Sequence, residues 1–257
     1  MIGSELTMRP GVSPVEATYI KLFGAPINGL RIRARHVMPL FDKISPKPAK
    51  ILDAGCGKGV FSFALARKFP NSKITGLDIE QEILDKNEVV KEKGNYDNVS
   101  FIQSDLIEHP FKEEFDCVVS IDNMEHIEDH LAGAKALYRA LKSGGHLVLH
   151  VPGRYRRWPL FSWKDNFYVP GHFRHGYTTD DITNVLEKAG FTIEDCRYTY
   201  GLLENWTNNL SYKITAAQEK NKAIYALVFP LLLGVSWLGK FARPKMGAGV
   251  RVFAKKA

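Results

Sequence analysis

Short apolar runs alternate with amphipathic stretches through much of the chain. Five runs rich in β-branched residues predict strands at Lys50–Ala54, Lys73–Asp78, Val99–Gln103, Phe115–Ile121 and His146–Val151. The stretches between them predict helices at Val60–Phe69, Glu80–Lys93 and Asp129–Leu141. Strands that are almost entirely apolar are buried on both faces, as in a parallel sheet covered by helices. The pattern therefore predicts an α/β sandwich.

The flanking regions show different patterns. Asn28–Ile44 has the apolar spacing of an amphipathic helix, which we expect to cap the first strand. Pro152–Gly176 has neither a helical nor a strand period and predicts a long functional loop. Beyond it we expect a helix at Thr179–Ala189, a strand at Phe191–Tyr200, helical segments at Glu204–Lys222 and Ala223–Gly239, and a strand at Val250–Ala254. The predicted units are cap helices at 1–49, a core at 50–203, a helical apolar insertion at 204–245 and a final strand at 246–257.

Composition and charge narrow the class of protein. Hydrophobic residues make up 45% and charged residues 25% of the 257 residues, which is typical of a folded globular protein. A net charge of +7 favours an anionic partner, such as a phosphorylated small molecule, lipid headgroups or nucleic acid. The three cysteines lack metal-ligand spacing, so a reducing compartment is expected. The first residues do not have the pattern of a secretory signal, and this predicts a cytoplasmic location.

A glycine-rich turn follows the first predicted strand in the segment Ile51-Leu52-Asp53-Ala54-Gly55-Cys56-Gly57-Lys58-Gly59. Glycines at the start of a helix allow backbone N–H groups to approach a nucleotide-type ligand. In the dinucleotide fingerprint a glycine stands three positions after the second one, but Val60 occupies that position here. Gly59 follows Lys58 where a P-loop has Ser or Thr. A pyrophosphate cradle is therefore the weaker interpretation.

Two further strand ends carry groups suited to a nucleoside. Asp78 ends the second strand, where a carboxylate can accept hydrogen bonds from both ribose hydroxyls, and Ile79 can stack on a base. Ser104-Asp105 follows the third strand, and Asp105 can accept a hydrogen bond from an adenine amine. Because parallel strands end at one edge of the sheet, these groups are expected to converge.

Together these motifs resemble the class I S-adenosylmethionine-dependent methyltransferases, most closely the ubiquinone and menaquinone methyltransferases and the small-molecule O-methyltransferases. Leu141-Lys142-Ser143-Gly144-Gly145 before the fifth strand is a further matching segment. The resemblance implies a Rossmann-like sheet of seven strands that ends in a reversed hairpin, with a helical insertion before the last strand. It also implies that S-adenosyl-L-methionine is bound by Asp53, Gly55, Cys56, Gly57, Gly59, Asp78, Ile79, Ser104, Asp105, Leu106 and Ile121.

The acceptor is expected above the ends of the fourth and fifth strands. His126 is the candidate general base, since an imidazole suits proton removal near neutral pH; alternatively, it caps the next helix or bonds a carboxylate. His172, Arg174 and Tyr177 are further catalytic candidates, and the alternative for Arg174 is that it locks the loop over the cofactor. No metal is expected, although Asp122, His126 and His130 have the spacing of ligands on one helix, with Asp129 as an added oxygen ligand.

Two segments leave the partner open. One segment mixes basic and aromatic residues: Arg154, Arg156 and Arg157 precede Trp158, Phe161 and Trp163. Such a mixture suits RNA, a lipid interface or an anionic substrate. No RNA-binding module is visible in the sequence, so a nucleic-acid partner is not expected. Residues 223–239 carry no charge, with Lys220, Lys222, Lys240, Arg243 and Lys245 around them. Pro230 is expected to break this segment. Three roles for the segment stay open: two short helices that cover the pocket, a dimer contact, or contact with an anionic membrane.

These observations predict a methyltransferase that acts on an oxygen atom of a small acceptor, lipidic, aromatic or anionic. N- or C-methylation of a lipid or quinone precursor is one alternative. The others are a non-catalytic nucleotide-binding protein at the membrane surface and an NAD-dependent oxidoreductase, which Val60 disfavours.

Overall fold

Seven strands form one sheet in a computed structural model that describes residues 2–156, 164–166, 170–215 and 221–257. The strands of this sheet are β1 Lys50–Ala54, β2 Lys73–Asp78, β3 Val99–Gln103, β4 Phe115–Ile121, β5 Leu141–Pro152, β8 Phe191–Thr199 and β9 Gly249–Lys256. Their order across the sheet is β3-β2-β1-β4-β5-β9-β8. The strands β1 to β5 pair in parallel, and β9 runs antiparallel to both β5 and β8. The predicted seven-stranded Rossmann-like fold is confirmed.

Helices cover the sheet and one end of the molecule. They are α1 Pro14–Phe23, α2 Asn28–Val37, α3 Val60–Lys68, α4 Gln81–Gly94, α5 His130–Ala140, α6 Thr179–Lys188, α7 Leu202–Thr215 and α8 Lys222–Leu238. Short 3-10 helices lie at Ser4–Met8, Met38–Lys43, Met124–His126 and Gly239–Phe241. A two-residue pairing of β6 Tyr155–Arg156 with β7 Lys164–Asp165 stands outside the main sheet.

Neighbouring residues of a central strand pack into two different cores. Ile51 lies in the core formed with α2 and α3, whereas Leu52 lies in the core formed with α5 and α6. Successive side chains of a strand point to opposite faces, and both faces of this sheet are covered. This explains why the five parallel strands are apolar at nearly every position.

Three predicted elements differ from the structure. The helix expected at Asn28–Ile44 ends at Val37 and continues as a 3-10 helix, since Pro39 has no N–H for the next α-helical hydrogen bond. The fifth strand begins at Leu141, five residues earlier than the predicted His146, so α5 ends at Ala140 before the glycine pair. The predicted break at Pro230 is wrong, because α8 runs as one helix through it.

Candidate active site

The glycine turn after β1 is fastened to the end of β2. Gly55, Gly57 and Gly59 have φ values of 77°, 48° and 70°, in the left-handed region that favours glycine. The amides of Gly55 and Cys56 both donate to the Leu77 carbonyl, at 2.8 and 2.9 Å. The end of β2 therefore already engages these two N–H groups, and this holds the turn in place.

The carboxylate of Asp78 lies beside open space at the edge of the sheet. Its Oδ2 accepts the Gly57 amide at 2.7 Å, and its Oδ1 accepts the Glu80 amide at 3.1 Å. Each carboxylate oxygen has two acceptor positions, so one on each oxygen remains for a vicinal diol. A methyl group added to Gly57 would meet no atom within 4 Å, which shows room for a ligand at this point.

The ends of β2 and β3 supply the other expected nucleoside contacts. Ile79 is 61% exposed and offers an apolar face beside Asp78. The Ser104 amide donates to the Asp78 carbonyl at 3.0 Å, and Asp105 Oδ1 accepts the Ile107 amide at 2.6 Å. These bonds fix Asp105 at the end of β3, while Leu106 is buried beneath it. Together with Asp78, the residues at this edge fit the adenosine part of S-adenosylmethionine.

Asp53 lies below the turn and is buried. Its Oδ2 accepts the Ser62 hydroxyl at 2.6 Å, and Ser62 belongs to α3. Burial raises the pKa of Asp53 to about 7, with a smaller contribution from the negative charge of Asp78. A positively charged ligand above the turn would favour the ionised form of this carboxyl group.

Several residues that pattern reasoning missed hold the turn in place. A side chain on Gly55 would overlap Asn123, whose Nδ2 donates to the Ala54 carbonyl at 3.3 Å. On the other side, Asn87 Nδ2 donates to the Gly57 carbonyl at 2.8 Å, and Arg9 donates to Asn87 Oδ1 at 2.9 Å. These contacts cross from distant parts of the chain, so the sequence carries no local signal for them.

A cavity of about 770 Å³ lies beside the ends of β4 and β5, where the acceptor was predicted. Its volume is in the range of sites for small molecules. Its described lining includes nine charged or imidazole side chains: Arg33, Asp122, Glu125, His126, His150, Arg156, His172, His175 and Lys213. Helix α7 adds the amides of Asn205, Asn208 and Asn209.

A chain of polar contacts crosses the wall of this cavity. Asp122 forms an ion pair with Arg33 of α2, and its Oδ1 lies 2.6 Å from Nδ1 of His150. The other ring nitrogen of His150 lies 2.9 Å from the Thr199 hydroxyl. Burial works against the charge on Asp122, but Arg33 and His150 nevertheless hold its pKa well below the usual range. Asp122 also has a φ of 49°, a conformation typical of functional sites when a non-glycine residue adopts it.

His126 and His172 face each other on the cavity wall. Their ring centroids are 4.4 Å apart and the rings are nearly perpendicular. Nδ1 of His126 lies 3.0 Å from the Gly171 carbonyl. Because a carbonyl only accepts hydrogen bonds, Nδ1 carries the proton in this contact and Nε2 keeps its lone pair. Burial, with a contribution from His126, lowers the pKa of His172 and keeps that ring neutral near pH 7.

Glu125 was not predicted, and its carboxyl group lies next to the imidazole pair. It is buried, and Oε2 has no hydrogen-bond partner among the described residues. Burial raises its pKa well above the usual value, and the charge of Asp122 raises it further. Ligand atoms of Glu125, His126 and His172 lie within 4.8 Å of one another, so these three side chains could hold a metal ion.

The alternative metal site, with Asp122, His126 and His130 as ligands on one helix, is wrong. Helix α5 begins at His130, and Asp129 caps it by accepting the Ala132 amide at 2.9 Å. Asp122 directly follows β4 and His126 ends a 3-10 turn. The three residues therefore do not share a helical face.

Arg174 and Tyr177 hold the loop that carries His126. Arg174 donates to the carbonyls of Met124, Ile127 and Glu128, at 2.7 to 2.8 Å. The Tyr177 hydroxyl donates to the Met124 carbonyl at 3.1 Å, and burial raises its pKa to about 12. Neither residue is among the described residues that line the larger cavity; both line a smaller one of about 350 Å³. Both side chains thus hold the loop that carries His126, as in the alternative given for Arg174, and their catalytic assignment stays a prediction.

Part of the predicted aromatic and basic loop lies outside the described residues, namely Arg157, Trp158, Phe161 and Trp163, as does Lys220 near α8. Within the described part, Arg156 lines the larger cavity. Arg154 lies over the ring of Tyr155 at 5.7 Å. Ile121, half-buried, ends β4 beside the turn.

The fold and the arrangement of its strand ends define a class I S-adenosylmethionine-dependent methyltransferase. A sequence profile described as a methyltransferase domain matches residues 46–229, and the chain belongs to that family. The described cofactor-edge residues fit S-adenosylmethionine, as the open space at Gly57 and the two remaining acceptor positions of Asp78 show.

Named relatives include enzymes with different acceptors. Malonyl-[acyl-carrier protein] O-methyltransferase 2 of Ilyobacter polytropus is 33% identical over 78% of this chain and 69% of its own length. Malonyl-[acyl-carrier protein] O-methyltransferase 1 of that organism matches at 33% identity over 45% of this chain but only 42% of its own length. Demethylmenaquinone methyltransferase of Bacteroides fragilis is 26% identical over 63% of this chain and 75% of its own length.

A solved structure shows the same fold. Geranyl diphosphate C-methyltransferase from Streptomyces coelicolor, in complex with Mg²⁺, geranyl diphosphate and S-adenosyl-L-homocysteine, superposes with a TM-score of 0.61. The match covers 98% of this chain and 87% of that chain at 14% identity. At this identity the likeness concerns the fold alone.

Proposed function

We propose that the protein transfers a methyl group to an oxygen atom of a small anionic acceptor bound in the 770 Å³ cavity, with His126 as the general base. The observation that carries this proposal is the pair of imidazoles, His126 and His172, on the wall of that cavity. The cofactor, when bound, supplies a methyl group on a positively charged sulfur. The acceptor oxygen attacks the carbon of this methyl group as the sulfur–carbon bond breaks.

The cofactor edge has a defined part in this proposal. Asp78 accepts hydrogen bonds from the ribose, Ile79 packs on the adenine, and Asp105 accepts from the adenine amine. Ser104, Leu106 and Ile121 complete the adenosine side. Asp53 and the backbone of Gly55, Cys56, Gly57 and Gly59 surround the methionine part. The glycine turn is already fastened to β2, so little of it needs to be ordered when the cofactor binds.

The charge of the cavity supports an anionic acceptor. Arg33, Arg156 and Lys213 line it. Of the two acids, Asp122 is paired with Arg33 and His150, and the raised pKa of Glu125 favours its neutral form. A net positive lining stabilises a carboxylate or phosphate group of the acceptor, separate from the hydroxyl whose proton His126 takes. A relative named as an O-methyltransferase of malonyl-[acyl-carrier protein] is consistent with oxygen as the accepting atom.

His126 has the geometry of a base. With Nδ1 held by the Gly171 carbonyl, Nε2 keeps a lone pair that can take the proton of an acceptor hydroxyl. His172 restricts the ring of His126 and can donate a hydrogen bond to the acceptor. The remaining work is positioning, because the methyl carbon is already activated.

Cofactor binding is tested with Asp78→Ala and its control Asp85→Ala, an exposed carboxylate on α4. Loss of two hydrogen bonds to a carboxylate should weaken calorimetric binding of S-adenosylmethionine by roughly 100-fold. Asp85→Ala should bind as the wild type does. Equal affinities for the wild type and Asp78→Ala would contradict the proposed edge.

The accepting atom is tested with methyl-labelled S-adenosylmethionine and fractionated cell extract. We expect label in an anionic small-molecule or lipid product of the wild-type enzyme, and none with Asp78→Ala. Mass spectrometry of the product then locates the methyl group. Label on carbon or nitrogen would support the alternative acceptors, a lipid or quinone precursor, and would contradict O-methylation. Label in the protein or RNA fraction would contradict a small acceptor.

A further inference from the structure

Helix α8 is apolar on both of its faces. Tyr225, Phe229 and Leu232 on one face are buried in a core that includes Leu210 and Ile214 of α7. The opposite face carries Ile224, Leu227, Leu231 and Leu238, all exposed. These positions recur at helical spacing and form one stripe along the helix. Leu227 is 83% and Leu231 is 69% exposed, whereas a surface helix of a soluble domain has polar residues at such positions.

The exposed apolar surface extends beyond α8. The Tyr19 hydroxyl donates to the Ala226 carbonyl at 2.7 Å and so holds α1 beside α8. Helix α1 and the turn after it add exposed Val15, Leu22, Phe23 and Ile27. At the other end, Trp237 and Phe241 are exposed and their rings pack edge to face. Exposed apolar side chains on neighbouring helices are typical of an interaction site.

The charges on α8 and on the chain that follows it have one sign. Residues 221–257 contain no Asp or Glu. Lys222, Lys240, Arg243 and Lys245 are exposed at the two ends of α8. The Lys240 ammonium lies 4.2 Å from the Trp237 ring centroid and 4.7 Å from that of Phe241. An aromatic and basic cluster at the end of an apolar helix is typical of a segment that lies at an anionic lipid surface.

We infer that α8 docks the protein on an anionic membrane surface, with Leu227 and Leu231 inserted among the acyl chains and the flanking lysines at the headgroups. Lys222–Phe241 is long and apolar enough to cross a membrane, with a mean hydropathy of 1.7. However, its buried face belongs to the core formed with α7, so the helix lies in the interface instead of spanning it. A second copy is a poorer occupant, because pairing this face with itself brings like charges together.

The docked face adjoins the cavity through α7. Ser211 of α7 donates to the Tyr225 hydroxyl of α8 at 2.7 Å, while Tyr212 and Lys213 of α7 line the cavity. Docking therefore places the cavity close to the headgroups, and an anionic acceptor can belong to a lipid. The membrane inference itself rests on α8 and its charges, so its test is separate from the test of methyl transfer.

The experiment is sedimentation with vesicles of phosphatidylcholine, with and without about one-third phosphatidylglycerol. The wild-type protein should sediment with the anionic vesicles, less so at high salt, and not with phosphatidylcholine alone. The Leu227→Gln/Leu231→Gln double variant should lose at least roughly ten-fold in affinity for the vesicles, because two apolar side chains no longer insert. Circular dichroism should show it folded, since both side chains are exposed.

The charge contribution has a matched control. Lys240→Glu/Lys245→Glu should lose binding to the anionic vesicles, whereas Lys73→Glu should not, because Lys73 is an exposed lysine at the start of β2. Trp237 provides an independent signal: its fluorescence should shift to shorter wavelength on anionic vesicles, and Trp237→Phe should remove that shift.

Four outcomes would overturn the inference. The first is a wild-type protein that does not bind anionic vesicles, and the second is a double glutamine variant that binds as tightly as the wild type. The third is a dimer in solution that the glutamine variant dissociates, without vesicle binding, which would assign the face to a second copy. Binding that resists high salt and alkaline extraction would indicate a spanning helix and would also contradict docking.

Discussion

The Tyr19 hydroxyl donates a hydrogen bond to the carbonyl of Ala226, the acceptor that Pro230 leaves without its helical partner. In an α-helix the amide of residue 230 would bond this carbonyl, but proline has no N–H. A side chain from α1, more than 200 positions earlier in the sequence, takes the place of that amide. This explains how α8 continues through a proline that the sequence predicts to break it.

We expect Tyr19→Phe to lower the free energy of unfolding by about 1 kcal/mol, the usual contribution of such a hydrogen bond. Pro230→Ala restores an amide to the helix, so Tyr19→Phe should cost much less in the Pro230→Ala background. Chemical denaturation of the four proteins measures this double-mutant cycle. An equal loss in both backgrounds would show that the hydroxyl is not substituting for the proline's missing amide.

Turnover should depend on the imidazole of His126. A glutamine cannot take the proton of an acceptor hydroxyl, so His126→Gln should lower kcat by about 10²- to 10⁴-fold, with the affinity for S-adenosylmethionine unchanged. His172→Gln, the matched control, should lower kcat much less. A His126→Gln enzyme with normal kcat would rule out the assigned base.

The Arg33–Asp122 pair should stabilise the fold in a pH-dependent way. The folded pKa of Asp122 is depressed, so its contribution is complete above the unfolded pKa of about 4 and is lost as pH falls toward the folded pKa. We expect Asp122→Asn to cost about 3 kcal/mol at neutral pH and progressively less in acid. Asp42→Asn, which removes a more exposed pair with Lys68, should cost less than about 1 kcal/mol. A constant difference between wild type and Asp122→Asn across this range would contradict the depressed pKa.

Arg174→Lys should impair catalysis through the position of His126. A lysine cannot bond the carbonyls of Met124, Ile127 and Glu128 together, so the loop should shift. We expect kcat to fall about 10-fold or more while binding of S-adenosylmethionine stays the same. Arg197→Lys, at an arginine paired with Asp195 on β8, is the control. If Arg174→Lys raised the acceptor KM alone, the guanidinium would be a substrate contact instead.

Removal of divalent metals should leave methyl transfer unchanged. The methyl carbon of the sulfonium donor is already activated, so the transfer needs positioning of the acceptor and no metal ion. Activity is measured before and after dialysis against a chelator, with added Mg²⁺, Mn²⁺ or Zn²⁺ as the control. Activity lost on dialysis and restored by one of these ions would identify Glu125, His126 and His172 as a metal centre.

The cofactor edge was predictable because its residues follow strands directly. Asp78 and Asp105 stand at the ends of two parallel strands, so the strand prediction alone places them at one edge. Arg33, His150 and Glu125 were not predicted as site residues, because the cavity brings together α2, β5 and the turn after β4, which are far apart in sequence. Arg174 was chosen for its chemistry, but the carbonyls it binds depend on how the loop folds. The cytoplasmic location, the homodimer and the absence of a nucleic-acid partner stay predictions.

Helices α7 and α8 are inserted between β8 and β9, whereas the residues at the cofactor edge come from the first half of the chain. Helix α7 contributes five of the described residues that line the cavity, so part of the proposed acceptor site is encoded apart from the donor site. A chimera that receives 202–241 from a relative should keep its use of the methyl donor and acquire a new substrate preference. The same separation gives evolution a way to change what is methylated without rebuilding the enzyme.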